Sequence, residues 1–284
     1  MILVANCTAS KCDWHLLDAN RIGLCEKRTM GLNPMISSEM EIRTLVQELN
    51  GSFRLHRISQ VEFYCIGGKQ TVPQNILLSF FQEYAPDIKV VVEEDLELAV
   101  RCKGGSPAVV CILDGNARSC FYDGLELHKR VPDFGCPIMD DGSSVYFGRE
   151  LIRSYVFGVM PESLRRNLKD YYELDDSEIL QEIYHGTNPS GYLANFGWFL
   201  IQNQEHQFIK AMIQIGVRKV FDHILEPYDK ELKALPLHFI GDLAYSLKDS
   251  IKVEAYKRGY GAVFFTQSPM EKWDVHHQLN LGLP

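Results

Sequence analysis

Three short strands followed by a helix, a strand and a helix occur twice along this chain, and that duplication constrains the fold more than any other feature. In the first copy, alternating patterns place strands at 1–6, 14–17 and 22–27. Ile42, Leu45, Val46 and Leu49 then recur at helical spacing, with Ser37 or Ser38 as cap and Asn50-Gly51 as the expected stop. A strand at 61–66, a helix at 74–84, a strand at 88–92 and a helix at 95–102 follow. The second copy reads as strands at 108–113, 118–122 and 125–131, a strand at 235–240, a helix at 242–258 and a strand at 262–266. Between its meander and its crossover, helices are predicted at 148–158, 161–170, 176–184 and 205–225. Strands alternating with helices imply a largely parallel sheet beside each meander. The fold class is therefore α/β: two lobes, each a mixed five-stranded sheet with flanking helices.

Lys103-Gly104-Gly105-Ser106-Pro107 separates the copies, giving an N-terminal lobe over 1–104 and a C-terminal lobe over 105–284, whose last helical residues could pack back on the first. A two-lobed chain of this plan is expected to bind its ligand in a cleft between the lobes. Lys and Arg number 29 against 37 Asp and Glu, a net charge of −8 that disfavours nucleic acid as partner. No apolar run approaches the roughly 18 residues of a membrane span, and the N-terminal run is too short for a signal segment. Eight cysteines, all within the first 136 residues and without Cys-x-x-Cys spacing, read as reduced structural thiols, which implies a cytoplasmic location. His276-His277 reads as a surface pair and Arg165-Arg166 as a solvated helix face.

Specific segments carry more. Asn6-Cys7-Thr8-Ala9-Ser10-Lys11-Cys12-Asp13-Trp14 is followed, in order, by Gly31-Leu32-Asn33-Pro34, Gly67-Gly68, Glu94-Asp95 with Arg101, the segment 113–124, Asp140-Asp141-Gly142-Ser143, Gly241-Asp242-Leu243-Ala244 and Gln267-Ser268-Pro269. This series resembles the bacterial N-acetylglucosamine kinase and BadF/BadG/BcrA/BcrD ATPase family, within the actin-like ATPase and sugar-kinase superfamily. The resemblance covers nearly the whole chain. It implies two actin-like (ribonuclease H-like) lobes, ATP and Mg²⁺ as co-substrate and metal if the chain is active, and a small amino sugar or cell-wall fragment as partner.

By that resemblance Asp95 is the catalytic base that accepts the sugar hydroxyl proton. A helix cap would explain an Asp there equally well. Asn33, Gly67, Gly68, Asp140 and Gly142 fall on the sugar side. Turn chemistry alone would also account for Asn33, Asp140 and the glycines. The nucleotide side comprises Asn6, Thr8, Ser10 and Lys11 in the first loop, Gly115, Arg118 and Ser119 in the second, and Gly241 and Asp242 in the adenosine segment. Asn6 and Asp140 are the metal candidates.

The nucleotide side departs from the family pattern. Thr8 stands where backbone must approach phosphate and glycine is expected, Asn6 where an Asp is expected, and Cys12 where a Thr hydroxyl is expected. In the second loop the usual glycines are gone and Asp114 replaces one of them. An unpaired carboxylate about 4 Å from a phosphate oxygen costs on the order of 4 kcal/mol at an effective dielectric of about 20. Arg118 could offset this by pairing with Asp114 or by reaching the phosphate. The expected function is an amino-sugar kinase homologue whose ATP phosphotransfer is weak or lost. The alternatives are an active sugar kinase and a non-catalytic scaffold or regulator, with the helices of the second lobe available as a homodimer face.

Overall fold

In the computed structural model the described residues are 1–8, 11–32, 34, 37–68, 71–136 and 138–272. Ser10, Asn33 and the His276-His277 pair lie outside them. Two compact units form: Met1–Gly105 with the segment from Ser268, and Ser106–Gln267.

The first unit is built on β1 (Ile2–Cys7), β2 (Lys11–Leu17), β3 (Gly23–Met30), β4 (Gln60–Cys65) and β5 (Lys89–Glu94), in the order β3-β2-β1-β4-β5. β1–β2 and β2–β3 are antiparallel, whereas β4 lies parallel to β1 and β5 parallel to β4. The second unit uses β6 (Ala108–Leu113), β7 (Ala117–Tyr122), β8 (Leu127–His128), β9 (Leu237–Ile240) and β10 (Val263–Thr266), ordered β10-β9-β6-β7-β8. Read from its other edge this is the same plan: a meander whose first strand also pairs in parallel with one crossover strand, which in turn pairs in parallel with the next. The repeat legible in the sequence is thus a repeat of topology.

Helix α1 (Glu39–Phe53) starts where Ser38 accepts from the Glu41 amide and Glu41 returns a bond to the Ser38 amide. It does not stop at Asn50-Gly51. Phe53 is buried with Ile42, Leu45, Val46 and Leu49, so burial of one more turn outweighs the glycine, and Arg54 ends the helix in the left-handed region at φ 54°. Helices α2 (Thr71–Gln82) and α3 (Asp95–Lys103) complete the first unit. Trp14 and Phe63 meet at 5.7 Å in its core, a tilted pair contributing about 1 kcal/mol beyond simple burial.

In the second unit α4 (Ser144–Val156), α5 (Glu162–Tyr172) and α6 (Asp176–Tyr184) agree with the sequence reading within a few residues. Among the helices not anticipated are α7 (Pro189–Asn195) and α8 (Gly197–Gln202). Asn188 caps the Gly191 amide at 2.8 Å and Pro189 sits in the first turn, a readable start obscured by the glycines around it. The helix expected over 205–225 is α9 (Gln207–Lys219) followed by a π-helical turn over Val220–Leu225, and α10 (Asp229–Leu232) follows. That expected over 242–258 is broken at Leu247 into α11 (Asp242–Ser246) and α12 (Lys248–Lys257). The third meander strand, expected over 125–131, shrinks to the two residues of β8 at the sheet edge. No described helix is long and apolar enough to cross a membrane.

The cysteine expectation needs a correction. Cys7 and Cys12 are disulfide-bonded, while the other six cysteines form no disulfide. Register explains the pairing: Cys7 and Cys12 are the last opposed residues of the β1–β2 hairpin.

Candidate functional site

In an open sheet of this kind, functional groups gather beyond the C-terminal ends of the parallel strands. In the first unit these are the ends of β1, β4 and β5, brought level by the pairing of Asn6 with Tyr64 and of Cys65 with Glu94. The edge therefore collects Asn6, Thr8, Lys11, Gly67, Gly68 and Asp95.

Asp95 is buried, 6% exposed, as the first residue of α3; the cap position belongs to Glu94, which makes no side-chain capping bond. Gly67 turns the chain after β4 at φ 74°. Gly68 is required by a close approach, because a Cβ there would lie 2.0 Å from the Glu93 carbonyl oxygen. The glycine pair thus lays its turn against the peptide that leads into Asp95. From the other end of α3, Arg101 donates to the Tyr64 hydroxyl at 2.8 Å. Glu62 lies beyond that hydroxyl, gripped by Nη1 and Nη2 of Arg21 at 3.2 and 2.6 Å. Burial pushes the Tyr64 phenol well above its ordinary range, with Arg101 opposing, so Tyr64 is a neutral strut rather than an acid. Sequence reasoning singled out Arg101 without its partner.

The β1–β2 turn is closed on itself. The Thr8 amide donates to the Lys11 carbonyl at 2.8 Å, the Thr8 hydroxyl reaches the same oxygen at 3.1 Å, and the Lys11 amide donates to Thr8 Oγ1 at 3.2 Å. The Cys7–Cys12 bond lies directly beneath. Asp13, opposite Asn6 in register, is held by Arg28 at 2.6 and 3.2 Å.

In the second unit the corresponding edge lies past β6, β9 and β10. The β6–β7 turn is also closed: Asp114 donates its amide to Asn116 at 3.0 Å and accepts the Ser144 amide at 2.8 Å. The Ala117 amide is taken by Asp140 Oδ1 at 3.2 Å. Asp140 is 3% exposed and holds a left-handed backbone at φ 72°, and no hydrogen-bond partner within standard distance is found for its Oδ2 among the described residues. Burial raises its carboxyl to about 6, opposed by the Ala117 amide and the Arg118 charge. Gly142, at φ 73°, fits against Gly216 and Val220, where a Cβ would meet Val220 Cγ2 at 2.3 Å. Gly115 is buried in the turn. Gly241, at φ 131°, packs on Leu113 and Asp114, its absent Cβ lying 2.5 Å from the Leu113 carbonyl oxygen. Asp242 opens α11 directly after it.

Two residues expected on the nucleotide side have structural employment. The Arg118 guanidinium is buried against Asp133 at 2.7 Å, and the Ser119 hydroxyl donates to the Ile224 carbonyl at 2.8 Å. Beside the Gly241 segment, Tyr245, Ser246, Lys248, Lys210 and Gln214 border a cavity of about 590 Å³, which the sequence did not signal. Among the described residues no cluster of three His, Cys, Asp or Glu side chains forms a metal site.

No family model matches the chain, and no curated protein matches it. Solved structures do. A candidate N-acetylglucosamine kinase from Porphyromonas gingivalis superposes with a TM-score of 0.85 at 28% identity, over 99% of this chain and 100% of that one. A second candidate N-acetylglucosamine kinase, from Chromobacterium violaceum, gives 0.70 at 13% identity over 98% of each chain. A ROK family glucokinase from Streptomyces griseus, in complex with glucose and AMPPNP, gives 0.58 at 12% identity over 98% of each. The last two are similar in fold. The chain has the actin-like sugar-kinase architecture and is a sugar-kinase homologue.

Proposed function

We propose that the chain binds an N-acetylated or free amino sugar, or a cell-wall fragment containing one, at the C-terminal edge of its first sheet, and that phosphoryl transfer from ATP is weak or lost. The observation that carries this reading is the state of the two hairpin turns. The Thr8, Lys11, Asp114 and Ala117 amides are all engaged within the protein. A turn that cradles phosphate needs such donors directed at the ligand. Mg²⁺ fares no better there, since Asn6 supplies an amide in place of a carboxylate.

The sugar side supports the other half of the reading. Asp95 is not a helix cap, and the Gly67-Gly68 turn braces the strand end that presents it. In that position a carboxylate can accept a hydrogen bond from a sugar hydroxyl, and in a functioning kinase it would accept the proton as the oxygen attacks phosphorus. One observation favours a second reading, an active ATP-dependent amino-sugar kinase. The cavity of about 590 Å³ along Tyr245–Ser250 lies within the size range of small-ligand pockets and has room for a nucleoside.

Thermal shift with N-acetylglucosamine and with Mg-ATP, run separately, distinguishes the readings. Stabilisation by the sugar alone is expected. Stabilisation by both would favour the kinase, in which Asp95→Asn should abolish ADP release; stabilisation by neither would leave a scaffold. The combined changes Asn6→Asp, Thr8→Gly and Asp114→Gly should raise nucleotide affinity if the turns are the defect.

A further inference from the structure

We propose that Cys7 and Cys12 are a thiol–disulfide switch that sets how tightly the first hairpin accepts a nucleotide phosphate. The inference rests on the reading of this hairpin as the weakened nucleotide side of a sugar-kinase homologue, and makes that weakness conditional on redox state.

Only one pair among the eight cysteines is bonded, and it is the pair that flanks the turn. Cys7 and Cys12 are the last opposed residues of β1 and β2, so their bond ties the two stems at the base of the turn. Above it the Thr8 amide is engaged by Lys11 at 2.8 Å and the Lys11 amide by Thr8 Oγ1 at 3.2 Å. A phosphate oxygen can take these donors only if Thr8 and Lys11 move apart. With Cys7 and Cys12 cross-linked, the neighbouring Thr8 and Lys11 are held at one spacing, and the oxidised hairpin is the closed form. Cutting the bond frees the strand ends and returns a sulfhydryl donor at Cys12, which a disulfide sulfur lacks. The reduced hairpin is the receptive form.

The step balances with a dithiol as reductant. Its thiolate attacks one sulfur of the pair, the Cys7–Cys12 bond breaks to a mixed disulfide, and the second thiol displaces the protein sulfur. Two electrons and two protons pass to Cys7 and Cys12, and the dithiol leaves as a cyclic disulfide. Cys7 is 2% and Cys12 0% exposed, so attack follows opening of the turn. That opening is the same movement a phosphate requires, which couples the two events. Coupling of this kind is reciprocal: whatever factor reduction gains in nucleotide affinity, bound nucleotide returns in favour of the reduced pair.

The experiment is a calorimetric titration of the full chain with Mg-AMPPNP, once under excess dithiothreitol and once after oxidation, with alkylation and mass spectrometry recording the state of Cys7 and Cys12. The dissociation constant is expected to be about tenfold smaller in the reduced chain, within the usual span of allosteric couplings. In a dithiol redox buffer, Mg-AMPPNP should correspondingly raise the midpoint potential of the pair by about 30 mV, the equivalent of tenfold for two electrons. The paired change Cys7→Ser, Cys12→Ser should bind equally under both conditions; the redox titration needs no variant and stands if that one misfolds. Equal affinity in both states of the unaltered chain overturns the switch, as does finding both thiols free after oxidation. Nucleotide binding in neither state overturns it too, while the response to N-acetylglucosamine judges the parent reading separately.

Discussion

The two hairpin turns, β1–β2 in the first unit and β6–β7 in the second, occupy the same place in a repeated topology yet are closed by different chemistry. The first is held by a Thr hydroxyl that serves as both donor and acceptor and by a covalent bond beneath it. The second is held by a buried carboxyl on Ala117 and by the packing of Gly241 against Leu113 and Asp114. One closure includes a bond that a reductant can cut; the other depends on packing and on a buried acceptor. Either route gives the amides of a tight turn an internal acceptor.

The comparison can be broken in order of expected effect. Gly241→Ala should be the most damaging, costing on the order of 3 kcal/mol, because the added methyl meets backbone at 2.5 Å and φ 131° is hostile to a side chain; urea unfolding would record it. A loss below 1 kcal/mol would mean the second turn is not held by packing.

Asp140→Asn comes next and tests the proton. The folded carboxyl titrates at about 6, above its ordinary 3.8, so between these pH values the unfolded chain releases its proton while the folded chain keeps it. Stability should therefore fall as pH rises through this window, by on the order of 2 kcal/mol. The amide variant, which keeps an acceptor for Ala117, should lose that fall. An unchanged pH profile from thermal melts would put the carboxyl in a different state.

In the first turn, reduction of Cys7–Cys12 should lower stability by about 2 kcal/mol, the chain-entropy value for so short a loop. The effect is read as a drop in melting temperature under dithiothreitol, absent from the double serine variant. The smallest change is expected for Arg101→Met, about 1 kcal/mol for one lost hydrogen bond to Tyr64. It should weaken sugar binding only slightly if Asp95 is held mainly by the Gly68 contact.

Much of this was legible in the sequence, for reasons that particular elements make clear. α1 carried its periodicity and capping box in one uninterrupted run, and the first meander carried its turns in short polar breaks. Where the structure departs, tertiary packing decided: Phe53 carried α1 past Gly51, and Leu247 interrupts a pattern that looked continuous. The Cys7–Cys12 bond depended on register. Only once Asn6 is set opposite Asp13 do the cysteines face each other, and composition had argued for thiols. In the candidate site, Asp95 and Gly67-Gly68 were readable as types at a strand end. That Arg118 is buried against Asp133, 15 residues away, was not, since no local pattern links them.

Native-state hydrogen exchange at the Thr8, Lys11, Asp114 and Ala117 amides tests the central claim most directly. If these groups are already engaged within the protein, they should be protected in the oxidised chain without nucleotide and change little when Mg-AMPPNP is added. Rapid exchange in its absence, turning to strong protection on its addition, would contradict the account.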